Sequence, residues 1–287
     1  MVSEVAPHIA NVLMISSTYV LVALGFALIF SVMRIMNFAH GAIYMVGGYV
    51  CYYFWVVLGF NPWVSLMLDT LVIGLFGLLL EKFLFRPFQL DFEKAVIMAI
   101  ALAMILQTGA DLTVGPDSGL GMPSLLQISI GVWNVRFRGD RLIVLAICII
   151  LWGALTLFIN KSKVGWSMLA IAHDRDAAAL QGINTNRISG LACAIACGLA
   201  GLTGGLVSSV LALYVGMADV ILVKIMGVII LAGIGSISGI WVGGLVLGAL
   251  DAICPIFTSS AIADSLGLGV IILILIIRPK GFFGQEV

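Results

Sequence analysis

Charge is scarce in this sequence. Of 287 residues only 10% are Asp, Glu, Lys or Arg, and 14 cationic residues balance 14 acidic ones to a formal net charge of zero. A soluble domain carries about 25% charged residues, so a water-facing globule of this composition is excluded. Nucleic-acid binding and an acidic or basic tail are excluded with it. Histidine is rarer still: His8, His40 and His173 fall in different elements. There is no Gly-x-x-x-x-Gly-Lys-Ser/Thr phosphate loop, no His-Glu-x-x-His and no Gly-x-Ser-x-Gly elbow. No metal site, bound cofactor or catalytic residue is therefore expected, and the chain does not read as an enzyme. Five cysteines (Cys51, Cys148, Cys193, Cys197, Cys254) lie in apolar runs without Cys-x-x-Cys spacing. Cys193 and Cys197, one helical turn apart, read as small core residues.

What fills the sequence instead is apolar: 62% hydrophobic residues and a mean hydropathy of +1.21. Uncharged or nearly uncharged runs cover Ile9–Met33, Gly41–Leu68 (broken at Asn61-Pro62), Trp63–Leu80, Ala95–Ala110, Leu142–Asn160, Ile188–Ala218, Ile225–Leu250 and Ser265–Ile277. About 20 residues of helix cross the hydrocarbon core. The expectation is an all-α membrane bundle, one transmembrane domain over residues 1–287, with eight spans. A ninth follows if the run interrupted at Gly233–Gly239 crosses twice. The first eight residues hold no Lys or Arg and the first run is too long for a signal-peptide core, so it reads as a span.

Lys and Arg in the loops set the orientation. Lys82, Arg86 and Lys94, then Lys161, Lys163, Arg175 and Arg187, then Arg278 and Lys280 fall on one side, which is thereby cytoplasmic. The loop Val114–Arg141 dissents with Arg136, Arg138 and Arg141. Its Gly115-Pro116-Asp117 turn and the alternation of Ile128, Ile130 and Val132 predict a hairpin-like segment. Gly201 with Gly205, and Gly244 with Gly248, have the spacing that lets helices approach closely in lipid, as any compact bundle would.

Two apolar regions are interrupted. In Arg34-Ile35-Met36-Asn37-Phe38-Ala39-His40-Gly41, Asn37 is placed to cap the next helix. Gly233-Ile234-Gly235-Ser236-Ile237-Ser238-Gly239 has the same form, with Ser236 or Ser238 as the cap. Paired breaks of this kind point to a substrate path lined by Asn37, His40, Gly41, Gly235, Ser236 and Ser238, because half-helix N-termini present partial positive charge. A cytoplasmic-edge turn satisfied by its own hydrogen bonds is the other reading of Asn37 and His40. Asp69, Asp111, Lys224 and Asp251 are the ionisable residues within spans, and either form a proton relay or sit at run ends near an interface.

The loop 161–187 carries the remaining pattern. At helical spacing Trp166, Leu169, His173, Ala177 and Leu180 share one face, with Asp174 and Arg175 off it. A short amphipathic helix of this kind suits a groove in a partner protein, or lies on the membrane. Asp176-Ala177-Ala178, three residues, then Gly182 gives small residues for close contact and a C-cap.

That loop resembles the cytoplasmic loop by which permease subunits of bacterial ABC importers contact their ATPases, with Asp176, Ala177, Ala178 and Gly182 matching its core and Asp in place of the usual Glu. Asn37-Phe38-Ala39-His40-Gly41 with Tyr44-Met45 and Gly47 is similar to the high-affinity branched-chain amino acid permease family. So are Ala170–Ala178 with Gly182-Ile183-Asn184, Gly233–Ser236 with Gly239, and Arg278-Pro279-Lys280-Gly281-Phe282-Phe283-Gly284. The resemblance implies the shorter of two permease subunits in a bacterial cytoplasmic membrane. Its implied partners are a second paralogous permease, two ABC ATPase subunits that bind the ATP and Mg, an extracytoplasmic solute-binding protein and membrane lipid. It implies that Trp166, Leu169 and His173 through Ala178, with Gly182, form the ATPase-coupling site. The implied solute is a branched-chain amino acid or a related amino acid, amide or carboxylate. The alternative expectation is an ion-coupled secondary transporter using His40, Asp69 or Asp251.

Overall fold

Long helices follow from apolar runs punctuated by short polar caps. The computed structural model describes residues 2–88, 91–115, 119–125, 129–132, 135–233, 237–258, 260–278 and 281–283. Helix α1 covers Val2–Met33, α2 His40–Tyr52, α3 Pro62–Leu80 and α4 Phe92–Val114. Helix α5 covers Gly139–Lys161, α6 Lys163–His173, α7 Arg175–Leu180 and α8 Thr185–Ser208, followed by α9 Met217–Ala232, α10 Ile237–Phe257 and α11 Ser260–Ile277. Asn61, with Pro62 behind it, accepts the Trp63 N–H and starts α3. Asp91 and Asn184 cap α4 and α8 in the same way. Wider π-helical turns continue α2 through Tyr53–Val57 and α3 through Glu81–Phe85.

Among the described residues six helices are long and apolar enough to cross a membrane: His8–Met33, Pro62–Phe88, Phe92–Val114, Gly139–Lys161, Thr185–Ser208 and Gly239–Phe257. Adding α2, α9 and α11, which are shorter, brings the total to the upper of the expected eight or nine; the 16 residues of α9 rise about 24 Å. The run Gly41–Leu68 is divided by the α2–α3 turn at Asn61, and α9 and α10 are separate helices. The hairpin expected in the dissenting loop is present. Strand β1 (Ser129–Val132) pairs antiparallel with β2 (Val135–Arg138). Pro116, Asp117 and Ile128 lie outside the described residues.

The chain forms two compact units. One holds Met1–Leu24, Ser124–Ile150 and Val223–Val287, the other Gly25–Pro123 and Leu151–Leu222. In the second unit α8 packs against both α2 and α3. Its Ala/Gly/Cys ribbon makes this possible: a side chain on Gly204 would strike the Tyr44 carbonyl, and one on Gly201 would meet Ile73 at 2.8 Å. Cys193 and Cys197 are buried there as core residues, their sulfurs 4.0 Å apart. In the first unit Gly244 and Gly248 of α10 seat against Val20 and Ser16 of α1.

Candidate functional site

The loop 161–187 is built from its caps outward. Ser162 ends its extended corner by accepting the Gly165 N–H at 2.8 Å, which starts α6 directly after α5. Only glycine fits position 165, since a side chain would enter the Phe158 and Ile159 backbone. The Trp166 indole donates to the Asn160 carbonyl at 2.8 Å and is pinned to the end of α5. Gly165, Met168 and Ile171 are buried, which fixes the inner face of α6.

A single helix from Trp166 to Gly182 does not form. Asp174 has extended backbone (φ −150°, ψ 111°) and its carboxylate accepts both the Asp176 and Ala177 N–H groups at 2.9 Å. That side-chain competition for backbone donors stops α6 and caps α7. Asp174, expected off the docking face, is thus the joint between two helices. Gly182 closes α7 as expected. With φ +84° it donates to the Ala179 carbonyl while Ile183 donates to that of Ala178, the paired bonds of a Schellman end.

The expected face is the outward one. Trp166 is 59% exposed and Leu180 90%, and Leu169, His173, Asp176 and Ala177 are exposed as well. Ala178 is 4% exposed and packs inward. Arg175 is half-buried, and its guanidinium donates to Asn186 at 3.3 Å. Desolvation pulls Arg175 below the ordinary arginine value, against the opposing pull of Glu81 and Asp176. Two residues near this loop escape a reading of the sequence. Glu81, fully buried, grips Arg86 through both carboxylate oxygens at 3.2 and 2.6 Å. Arg34 donates to the Ala172 carbonyl of α6 at 2.8 Å. Its only signal is a cation placed between the end of an apolar run and Asn37.

The first helix break differs from expectation in one respect. Ala39, not Asn37, occupies the cap position of α2, and among the described residues no side chain caps that helix. Asn37 lies two residues earlier because Phe38 and Ala39 form a turn, and its oxygen accepts the Ala39 N–H at 3.1 Å. Its backbone carbonyl accepts from His40 at 3.0 Å. Asn37 and His40 are both fully buried, and the Asn37 amide nitrogen meets no acceptor among the described residues. The His40 ring stands edge-on to Phe26 at 5.9 Å. Gly41 abuts the Ala218 carbonyl.

At the second break α9 ends at Ala232. Gly233 N–H reaches the Ile229 and Ile230 carbonyls, and the tail supplies the rest: Phe282 donates to Leu231 at 2.8 Å and Phe283 to Ala232 at 3.0 Å. Gly235 and Ser236 lie outside the described residues, as does the side chain of Ser238, whose backbone is in the first turn of α10.

Of the ionisable residues within spans, Lys224 and Asp251 meet at 2.7 Å in the first unit. Asp69 and Asp111 belong to the second. Asp69 is mid-helix in α3 and fully buried, with neither carboxyl oxygen hydrogen-bonded among the described residues. Placement at run ends therefore fails for Asp69, because α8 with its small residues covers the middle of α3, and for Lys224, which is buried halfway along α9.

Residues 8–277 match the family described as the permease component of branched-chain amino acid transport systems. The high-affinity branched-chain amino acid transport system permease protein LivH of Escherichia coli K12 is 30% identical, over 96% of this chain and 94% of its own. BraD, the corresponding permease protein of Pseudomonas aeruginosa, is 28% identical over 97% and 95%. A probable branched-chain amino acid transport permease of Methanocaldococcus jannaschii is 25% identical over 94% and 90%. A multi-pass helical membrane protein matched over nearly its whole length belongs to this family of permease components, whose members are transport subunits rather than enzymes.

Proposed function

We propose that this chain is the transmembrane permease subunit of an ATP-driven importer for branched-chain amino acids, or a related small amino acid, amide or carboxylate. It works in the bacterial cytoplasmic membrane with a second paralogous permease, two ABC ATPase subunits and an extracytoplasmic solute-binding protein. ATP and Mg are held by the ATPase subunits. The described helices, with α2, α9 and α11 counted as crossings, pass the membrane nine times. Residues 1–287 act as one translocation domain and 161–187 as its lever.

One observation carries this reading. The outward face of α6 and α7 sets Trp166, Leu169 and Leu180 beside His173, Asp176 and Ala177, while the opposite side is fastened by Met168, Ile171 and three capped helix ends. A short, rigidly seated helix pair with an apolar outer face suits a groove of a neighbouring subunit. ATP-driven closure of the ATPase pair pushes this face and biases the bundle between inward- and outward-facing states. Asn37, His40 and Gly41 at one break, and Gly235, Ser236 and Ser238 at the other, contribute to the solute path. The buried Asn37 amide is the donor best suited to a carboxylate there.

The test is to replace Leu180 with Asp and, separately, Gly182 and Asp176 with bulky residues. Loss of ATPase co-purification and of uptake is expected. Retention of both contradicts the reading. The buried carboxyl of Asp69, without a hydrogen-bond partner among the described residues, favours a second reading, an ion-coupled secondary transporter using Asp69, His40 or Asp251. It requires uptake that collapses with an uncoupler at constant ATP.

A further inference from the structure

Arg34 is the one described non-glycine residue with left-handed backbone, at φ +56°. Glycine adopts this conformation without steric cost, and a side chain there is uncommon. Its N–H still closes the last turn of α1 onto the Phe30 carbonyl at 2.8 Å, so the residue turns the chain while remaining fixed to the helix. Beyond it Ile35 and Asn37 are buried. Its own side chain is exposed, and the guanidinium reaches the Ala172 carbonyl at 2.8 Å. Ala172 is in the last turn of α6, where carbonyls have no partner within the helix and the dipole favours a cation.

An exposed hydrogen bond adds little to stability, and glycine would suit the backbone better. What arginine adds at position 34 is reach to α6. We propose that Arg34 is a positioning residue that ties the coupling helix α6 to the α1–α2 break, so that displacement of α6 is delivered to the segment Ile35–His40. This rests on the coupling reading above, and it names the route by which motion of the lever enters the bundle. The action of Arg34 runs through the Ala172 carbonyl.

The experiment compares wild type, Arg34→Gly and Arg34→Lys in the complete transporter, reconstituted in proteoliposomes with its binding protein and leucine. The readouts are leucine imported per ATP hydrolysed, ATPase co-purification and melting temperature. Arg34→Gly relieves the backbone and is expected to melt no lower than wild type and to retain its ATPase subunits. Its import per ATP is expected to fall about fivefold or more. Arg34→Lys, which keeps a cation able to reach the same carbonyl, is expected to restore import per ATP to near the wild-type value. Wild-type import per ATP in Arg34→Gly overturns the proposal. Loss of the ATPase subunits in that variant overturns it too, because Arg34 would then merely hold the docking surface in place. Arg34→Asn, which also tolerates left-handed backbone, is measured identically should the glycine variant not fold. Failure of the coupling reading registers separately, as unchanged ATPase capture and uptake by Leu180→Asp.

Discussion

Lys224 and Asp251 form an ion pair 2.7 Å long between α9 and α10, each side chain only 10% exposed. The second oxygen of Asp251 accepts the Tyr19 hydroxyl at 2.6 Å, which ties α1 into the same cluster. A pair this far from water repays its desolvation only while both members are present. Lys224→Met alone leaves a buried carboxylate without this counter-charge and is expected to cost about 3 kcal/mol. The joint variant Lys224→Met with Asp251→Leu is expected to recover most of that loss. A double-mutant cycle on thermal unfolding in detergent checks it. Additive losses from the two substitutions would mean the charges are not coupled.

The glycines of the second unit divide by what surrounds them. A side chain on Gly204 has no space beside the Tyr44 backbone, whereas one on Gly153 of α5 meets nothing within 4 Å among the described residues. Gly204→Val is expected to force α2 and α8 apart at a cost of about 3 kcal/mol or more. Gly153→Ala is expected to be neutral or to stabilise by up to about 1 kcal/mol through helix propensity. Melting temperatures of the two purified variants decide this, and equal shifts would contradict the α2–α8 packing.

The joint between α6 and α7 rests on one carboxylate. Asp174→Ala removes the acceptor for both Asp176 and Ala177 N–H groups and is expected to cost about 1 kcal/mol. Hydrogen exchange resolved by peptide is expected to quicken over residues 175–182 and to stay unchanged in α8. Unchanged exchange in α7 would show that the cap does not hold it.

The tail makes a parallel prediction. Phe282→Pro lacks the N–H that reaches the Leu231 carbonyl, and an unpaired buried carbonyl costs about 1–3 kcal/mol. Faster exchange of the amides of Gly233 and Phe283 is expected, with a lowered melting temperature. Wild-type exchange at both positions would contradict the pairing of the tail with α9.

Much of the loop 161–187 was legible because exposure follows periodicity. Trp166, Leu169, His173, Ala177 and Leu180 share an outward face as their spacing predicts, and Gly182 takes the left-handed C-cap that its position requires. The break at Asp174 was not legible from periodicity, which registers apolar repeats and is blind to a carboxylate competing for the next two amides. The same blindness moved the cap from Asn37 to Ala39, where a turn intervenes. Gly201 and Gly205 signalled close packing, but which helices they admit, α2 and α3, depends on contacts distant in sequence. Asp69 looked like an edge residue because span ends are uncertain by several positions, and its burial depends on α8. Arg34 carries no left-handed signal, since that signal is read from glycine and asparagine.

The central claim is that this permease moves solute with work delivered to α6 and α7 by separate ATPase subunits. Leucine accumulation in proteoliposomes tests it most directly, with the binding protein outside, ATP inside, and the ATPase subunits present or omitted. The account predicts accumulation against the gradient only with ATPase subunits and ATP together, and none with Leu180→Asp. Uphill leucine uptake by the permease subunits alone, driven by an imposed proton or sodium gradient, would contradict it.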